Sequence, residues 1–219
     1  MRADEHRRLI AIVAVVTLIV GAGIGFAARG ASVESATPER AIPSTTDADG
    51  PTRWEAGVPV GFAHTEAGAL AAARTMSNQI NTLFAMNDID RAAAMRRYAA
   101  EARAEVLVAR LDELAASFGK IAAIAPDPEV VSAVVRGAVD TYDDQRARVT
   151  LYLCQILVSD AMQVPMLTFL TGRYELVWED DDWRVWSVLD TPGPTPLVSP
   201  DADPTDTANF RAALPAASS

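Results

Sequence analysis

Residues 173–189 read RYELVWEDDDWRVWSVL. Tyr174, Leu176 and Trp178 alternate with other residues, and so do Trp183, Val185 and Leu189. A period of two places each set on one side of a strand. Asp180 to Asp182 is a short polar link, so the two runs form an antiparallel hairpin. Aromatic pairs of Trp178, Trp183 or Trp186 across it hold the register. The aspartate triplet is expected to be a solvated hairpin tip; it could attract a cation only weakly, and it lacks an EF-hand pattern.

Upstream, the same period continues. Val164 to Glu179 is one long run and Arg146 to Ser159, RARVTLYLCQILVS, is another. Val130 to Tyr142 is β-branched and closes at an Asp143-Asp144 turn. No helix separates these strands, so the sheet is antiparallel. Before Pro126-Asp-Pro128 the period changes. Thr65 is a fitting N-cap with Glu66 in the first turn, and Leu70, Ala73, Met76, Ile80, Leu83 and Phe84 recur at helical spacing. Asn87-Asp88 is a break. A second helix starts near Asp88 with Ile89, Ala93 and Met95 on or near its inner face. Around Tyr98 it bends or continues. Leu107, Leu111, Leu114 and Phe118 form the next stripe, with Gly119 and Lys120 as its stop. The charges between Arg91 and Glu113 read as a solvated face with pairs such as Arg97 to Glu101. Helices followed by a bent antiparallel sheet make an α+β domain, with the helices on one face of the sheet.

Residues 9–28, LIAIVAVVTLIVGAGIGFAA, carry no charge, and Thr17 is the only polar side chain. Twenty residues at a rise of about 1.5 Å span about 30 Å, the hydrocarbon thickness of a bilayer. Arg2, Arg7 and Arg8 precede the run, while Arg29 and Arg40 are the only basic residues in the next two dozen. That bias predicts an N-terminus in the cytoplasm and the rest of the chain outside. A cleaved signal peptide is the rival, but its apolar core is usually about 7–15 residues and Phe26-Ala-Ala-Arg29 is a poor cleavage context. Gly21 and Gly25 have the spacing that lets two membrane helices approach, although glycine is common in such helices anyway. The expected organisation is a cytoplasmic stub at 1–8, a transmembrane helix at 9–28, a flexible stalk at 29–56, the exterior domain at 57–191 and a disordered, Pro-rich acidic tail at 192–219.

The chain has 219 residues and a net charge of −10, with a pI near 4.6. An acidic surface without a basic stripe excludes non-specific nucleic-acid binding. Cys154 is the only cysteine, so no intramolecular disulfide forms. It lies in the apolar run Leu151 to Val158 and reads as a small hydrophobe rather than a link between chains. The two histidines, His6 and His64, have no ligand cluster beside them, and no phosphate loop, dinucleotide fingerprint or serine-nucleophile elbow is present. No catalytic, cofactor-binding or metal residue is expected, and no cofactor.

The order of elements and the closing DDDWRVWSV hairpin resemble the nuclear transport factor 2-like fold, a cone of helices against a curved sheet. Gly57-Val-Pro-Val-Gly-Phe62, Thr65-Glu-Ala-Gly-Ala-Leu-Ala-Ala-Ala73 and Pro192-Gly-Pro-Thr-Pro196 are similar to a family of uncharacterised actinobacterial proteins with an N-terminal anchor and one extracellular domain, some of which occur with mobile or conjugative elements. The arrangement also resembles the bitopic assembly subunits of type IV secretion and conjugation machines, which are not enzymes. What this implies is a non-enzymatic, membrane-anchored scaffold at the cell membrane. It would bind protein partners in the envelope and could form a homo-oligomer. The alternative is a small-molecule-binding or lyase/isomerase domain using the cone cavity. Enzymes on this fold place an acid and tyrosines inside the cone, which makes Asp140, Tyr142, Tyr152, Asp160 and Tyr174 the residues to inspect. A cone filled by Met162, Met166 and Leu170 would remove that alternative.

Overall fold

A computed structural model describes residues 49–122, 128–159, 165–196 and 214. Among them, a small hairpin pairs β1 (Arg53–Glu55) with β2 (Val58–Val60). Three helices follow: α1 (Glu66–Ala85), α2 (Asp88–Tyr98) and, after a 3-10 turn at Glu101–Arg103, α3 (Ala104–Ala122). Four strands complete the domain: β3 (Glu129–Tyr142), β4 (Arg146–Val158), β5 (Met166–Glu179) and β6 (Asp182–Pro192). They form an antiparallel sheet in the order β3-β4-β5-β6. The α+β reading therefore holds, with helices against one face of the sheet.

Local chemistry explains most boundaries. Thr65 caps α1, its hydroxyl accepting from the Gly68 amide at 2.9 Å. Asn87 caps α2, its side chain accepting from the Asp90 amide at 3.0 Å. α2 ends at Tyr98 rather than continuing. The inner face of the sheet carries Leu151, Leu153, Leu170, Tyr174 and Leu176, which pack with Leu70, Leu83, Met95, Leu107 and Leu111 of the helices. Burial of such side chains is worth roughly 1.5–3 kcal/mol each.

Several expectations are corrected. Gly119 and Lys120 do not stop α3, which runs to Ala122. Ile89 and Ala93 do not face inward: Ile89 is 81% exposed, and α2 instead buries Arg91, Ala94, Met95 and Tyr98. Arg91 can turn inward because its guanidinium donates to Asp88 (2.6 Å), to Asp112 of α3 (3.0 Å) and to the Met86 carbonyl (3.0 Å). Buried charge is tolerated only with such partners. β1 occupies the end of the expected stalk, and β6 extends through Pro192 into the expected tail. The amide of Gly193 then donates to Phe169 O at 2.9 Å, and the Tyr152 hydroxyl to Pro194 O at 2.6 Å.

The expected stub, transmembrane helix, most of the stalk, and the tail beyond residue 196 apart from Leu214 lie outside the described residues. Among the described residues no helix is long and apolar enough to cross a membrane.

Candidate functional site

The hairpin of β5 and β6 organises the site. Trp178 pairs with Trp183, as the sequence predicts, with their rings 5.3 Å apart and edge-on. Asp180 and Asp181 adopt positive φ at the turn (52° and 56°). Beyond Val185 the pairing slips by one: Leu176 opposes Val185, but Glu175 opposes Ser187. Trp186 is the extra residue of a bulge, and a bulge reverses the facing of everything after it. Val188 and Asp190 consequently line the space under the helices, while Leu189, expected beside Trp183 and Val185, is paired with Arg173 on the other face.

That space is a cavity of about 180 Å³ between α1, α3 and the inner face of the sheet. Ile80, Phe84, Leu111, Phe118, Leu157 and Met166 contribute to its apolar wall. Its polar lining includes Asp190, Tyr174, Ser77, Asn81 and Arg110. Burial pushes the Asp190 carboxyl above its ordinary range, with Arg110 opposing the shift. Burial also raises the Tyr174 hydroxyl, and Asp190 adds to that while a hydrogen bond with Ser77 opposes it. The Asp190 Oδ1 and Asn81 Oδ1 atoms are shielded from solvent without a hydrogen-bond partner.

The acid that sequence reasoning overlooked is thus Asp190. Of the acids and tyrosines singled out that fall among the described residues, Tyr174 alone lines the cavity. Asp140 is the exposed extra residue of a bulge in β3 and accepts from Thr150 Oγ1 at 2.7 Å. Tyr142 donates to His64 O at 3.4 Å. Tyr152 points away from the helices, its ring stacked on Phe169. Asp160 and Met162 lie outside the described residues. Met166 and Leu170 line the cavity rather than close it.

A carboxyl whose ionisation is disfavoured by burial has a measurable signature. The unfolded chain ionises Asp190 near 3.8, whereas the folded chain keeps the proton to higher pH. Above that value the unfolded state binds fewer protons, so stability falls as pH rises until the folded carboxyl ionises as well. Asp190→Asn, which removes the titration, should be more stable than wild type at pH 7. Its advantage should shrink on acidification and vanish below about pH 4. Denaturation curves across pH 3–8 give the comparison, and a pH-independent difference would exclude this assignment.

The aspartate triplet departs furthest from expectation. Asp180 and Asp181 are at the turn, but Asp182 is 1% exposed and accepts from the amides of Gly61 (2.9 Å), Phe62 (3.0 Å) and Trp183 (3.0 Å). Arg97 reaches Asp182 at 4.0 Å and also pairs with Glu55, not with the expected Glu101. Arg184, also buried, donates to the Arg97 carbonyl. His64 stacks on Trp178 with ring centroids 3.8 Å apart. Among the described residues no group of three or more His, Cys, Asp or Glu side chains is placed to hold a metal ion.

The two edges of the sheet differ. β6 is engaged at one point of its free edge, where Ala99 bridges Val185 and the Ala100 amide donates to Val185 O at 2.9 Å. β3 pairs only with β4, and no described strand lies along its other edge. Val131, Val135 and, across the sheet, Leu167 are exposed apolar side chains, and Val135 is a bulge residue.

No curated protein matches this chain at a significant level. Among solved structures, similarity extends to an IcmL-like type IV secretion system protein of Legionella pneumophila, at 10% identity over 62% of this chain and 98% of that one, with a TM-score of 0.48. CagV of Helicobacter pylori, a VirB8 homologue of its type IV secretion system, matches at 11% identity over 56% and 98%, with a TM-score of 0.41. The intermembrane-space region of the chloroplast protein ARC6 matches at 13% identity over 57% and 92%, with a TM-score of 0.35. The family profile of a domain of unknown function, DUF8175, matches residues 26–207 of the 219. The chain therefore belongs to the DUF8175 family.

Proposed function

We propose that this chain is a non-enzymatic, membrane-anchored assembly protein whose α+β domain binds protein partners outside the membrane. The observation that carries the reading is the open edge of β3. An edge strand is normally blunted by charge, proline, bulges or a covering segment, because its unpaired amides and carbonyls invite another strand. The 14-residue β3 carries bulges at Val135 and Asp140, but the stretch 129–134 runs without one and leaves Val131 exposed. Among the described residues, β6 is bridged at Val185 and no strand pairs with the other edge of β3. An extended segment of a partner would gain main-chain hydrogen bonds along β3 and apolar contact at Val131 and Val135. Anchoring rests on the uncharged run at 9–28 and its basic N-terminal flank. A place in a conjugation or secretion complex rests on the sequence resemblance alone.

The non-enzymatic part of the reading rests on the sequence resemblance alone: Asp140 is exposed on the edge strand, but the cavity does bring another acid, Asp190, beside Tyr174. Protease added to intact cells is expected to remove the domain at 49–196 while a fragment containing 9–28 stays with the membrane. A domain protected until lysis, or a chain recovered wholly in the soluble fraction, would overturn the reading. The cavity beside Asp190 favours a second, compatible role, the binding of a small molecule.

A further inference from the structure

We infer that the cavity takes an uncharged molecule about the size of a cresol, with an apolar body and one O–H or N–H donor directed at Asp190. This rests on the small-molecule reading and adds the chemistry of the ligand. A cavity of roughly 150 Å³ lined by Leu, Ile and Phe suffices for benzene, and the one here measures about 180 Å³ with walls of the same kind. A purely apolar occupant would leave the floor unexplained. Asp190 Oδ1 is shielded and has no partner, and Asn81 Oδ1 on the same lining is in the same condition. Buried acceptors without partners are rare, and each costs free energy until a donor arrives. Asn81 Oδ1 is an acceptor, and the Asp190 carboxyl accepts at whichever oxygen does not carry its proton, so a group that donates satisfies both. Arg110 on the same lining disfavours a cationic head, which leaves a neutral hydroxyl or N–H.

Three methionines of the lining, Met76, Met95 and Met166, serve as internal reporters, and Met86 lies off it. The full chain, labelled at its methionine methyls and held in nanodiscs, is titrated with 4-methylphenol and separately with toluene. Empty nanodiscs provide the blank. The expected result is saturable shifts at Met76, Met95 and Met166 but not Met86, with 4-methylphenol bound roughly tenfold more tightly than toluene. Asp190→Leu should reduce that ratio to near one while toluene still binds. Equal binding of the two probes to the wild type would overturn the donor assignment and leave small-molecule binding standing. A preference that survives in Asp190→Leu would overturn the role of Asp190. No shift with either probe would overturn both the ligand class and the small-molecule reading.

Discussion

Asp182→Ala should destabilise the domain by about 3–5 kcal/mol. The carboxylate accepts from three backbone amides, two of which, Gly61 and Phe62, lie some 120 residues away in sequence. It thereby ties the segment entering α1 to the start of β6. Removing it leaves those amides without their acceptor in a region closed to water, and leaves Arg97 with Glu55 as its remaining carboxylate partner. Asp182→Asn keeps one acceptor oxygen but turns an amide N–H toward backbone donors, so its loss should be intermediate. Denaturant unfolding followed by the fluorescence of the tryptophans, all four of which lie at or after Trp54, measures both variants. A midpoint shift at constant m-value is the expected form. A loss under 1 kcal/mol for the alanine variant would mean that the amides are satisfied elsewhere.

Gly68→Ala is expected to cost about 2 kcal/mol or more, against the usual rule for helices. Alanine at a helical position normally gains about 1 kcal/mol over glycine. Here a Cβ would lie 1.9 Å from Ala63 O and 2.8 Å from Ala63 C. The obstacle is backbone, and it cannot retreat freely. Ala63 O accepts from the Thr65 amide at 2.8 Å and from Trp183 Nε1 at 3.0 Å. Relief of the clash must therefore loosen the N-cap turn or the indole contact. The two effects have opposite signs, so the direction of the change decides between them: a variant more stable than wild type would show that the 63–68 turn yields without loss.

The fold was largely legible because its signals are local. Thr65 announces its helix by capping chemistry within three residues, and the Asn87-Asp88 break marks the start of the next. The strands β3 to β6 announce themselves by alternation and by the Asp143-Asp144 and Asp180-Asp181 turns. The failures are non-local. A one-residue bulge at Trp186 leaves no mark in VWSVLD, yet it turns Asp190 inward and Leu189 outward. Asp182 looks solvated beside two other aspartates because the amides that bury it are distant in sequence. Ile89 and Arg91 exchange their expected faces because Asp112, from another helix, neutralises the arginine. The short β1–β2 hairpin was missed because three-residue strands are too brief to show a period.

The candidate site suffered from the same blindness. A tyrosine in a strand, such as Tyr174, can be suspected of facing a cavity from alternation alone. The acid that accompanies it cannot be chosen from alternation once a bulge intervenes. Asp140 and Tyr152 share the alternation of their strands but lie on the exposed bulge and the outer face, respectively.

The open edge of β3 bears the weight of the functional reading, and photocrosslinking from it tests that reading most directly. A photoreactive residue at position 135, in cells that naturally make this chain, should give a discrete adduct with another envelope polypeptide. The same residue at exposed position 89 should not, and Val131→Asp should diminish the adduct. Monomer alone from position 135, or adducts of equal yield from both positions, would contradict the assignment of β3 as the partner-binding edge.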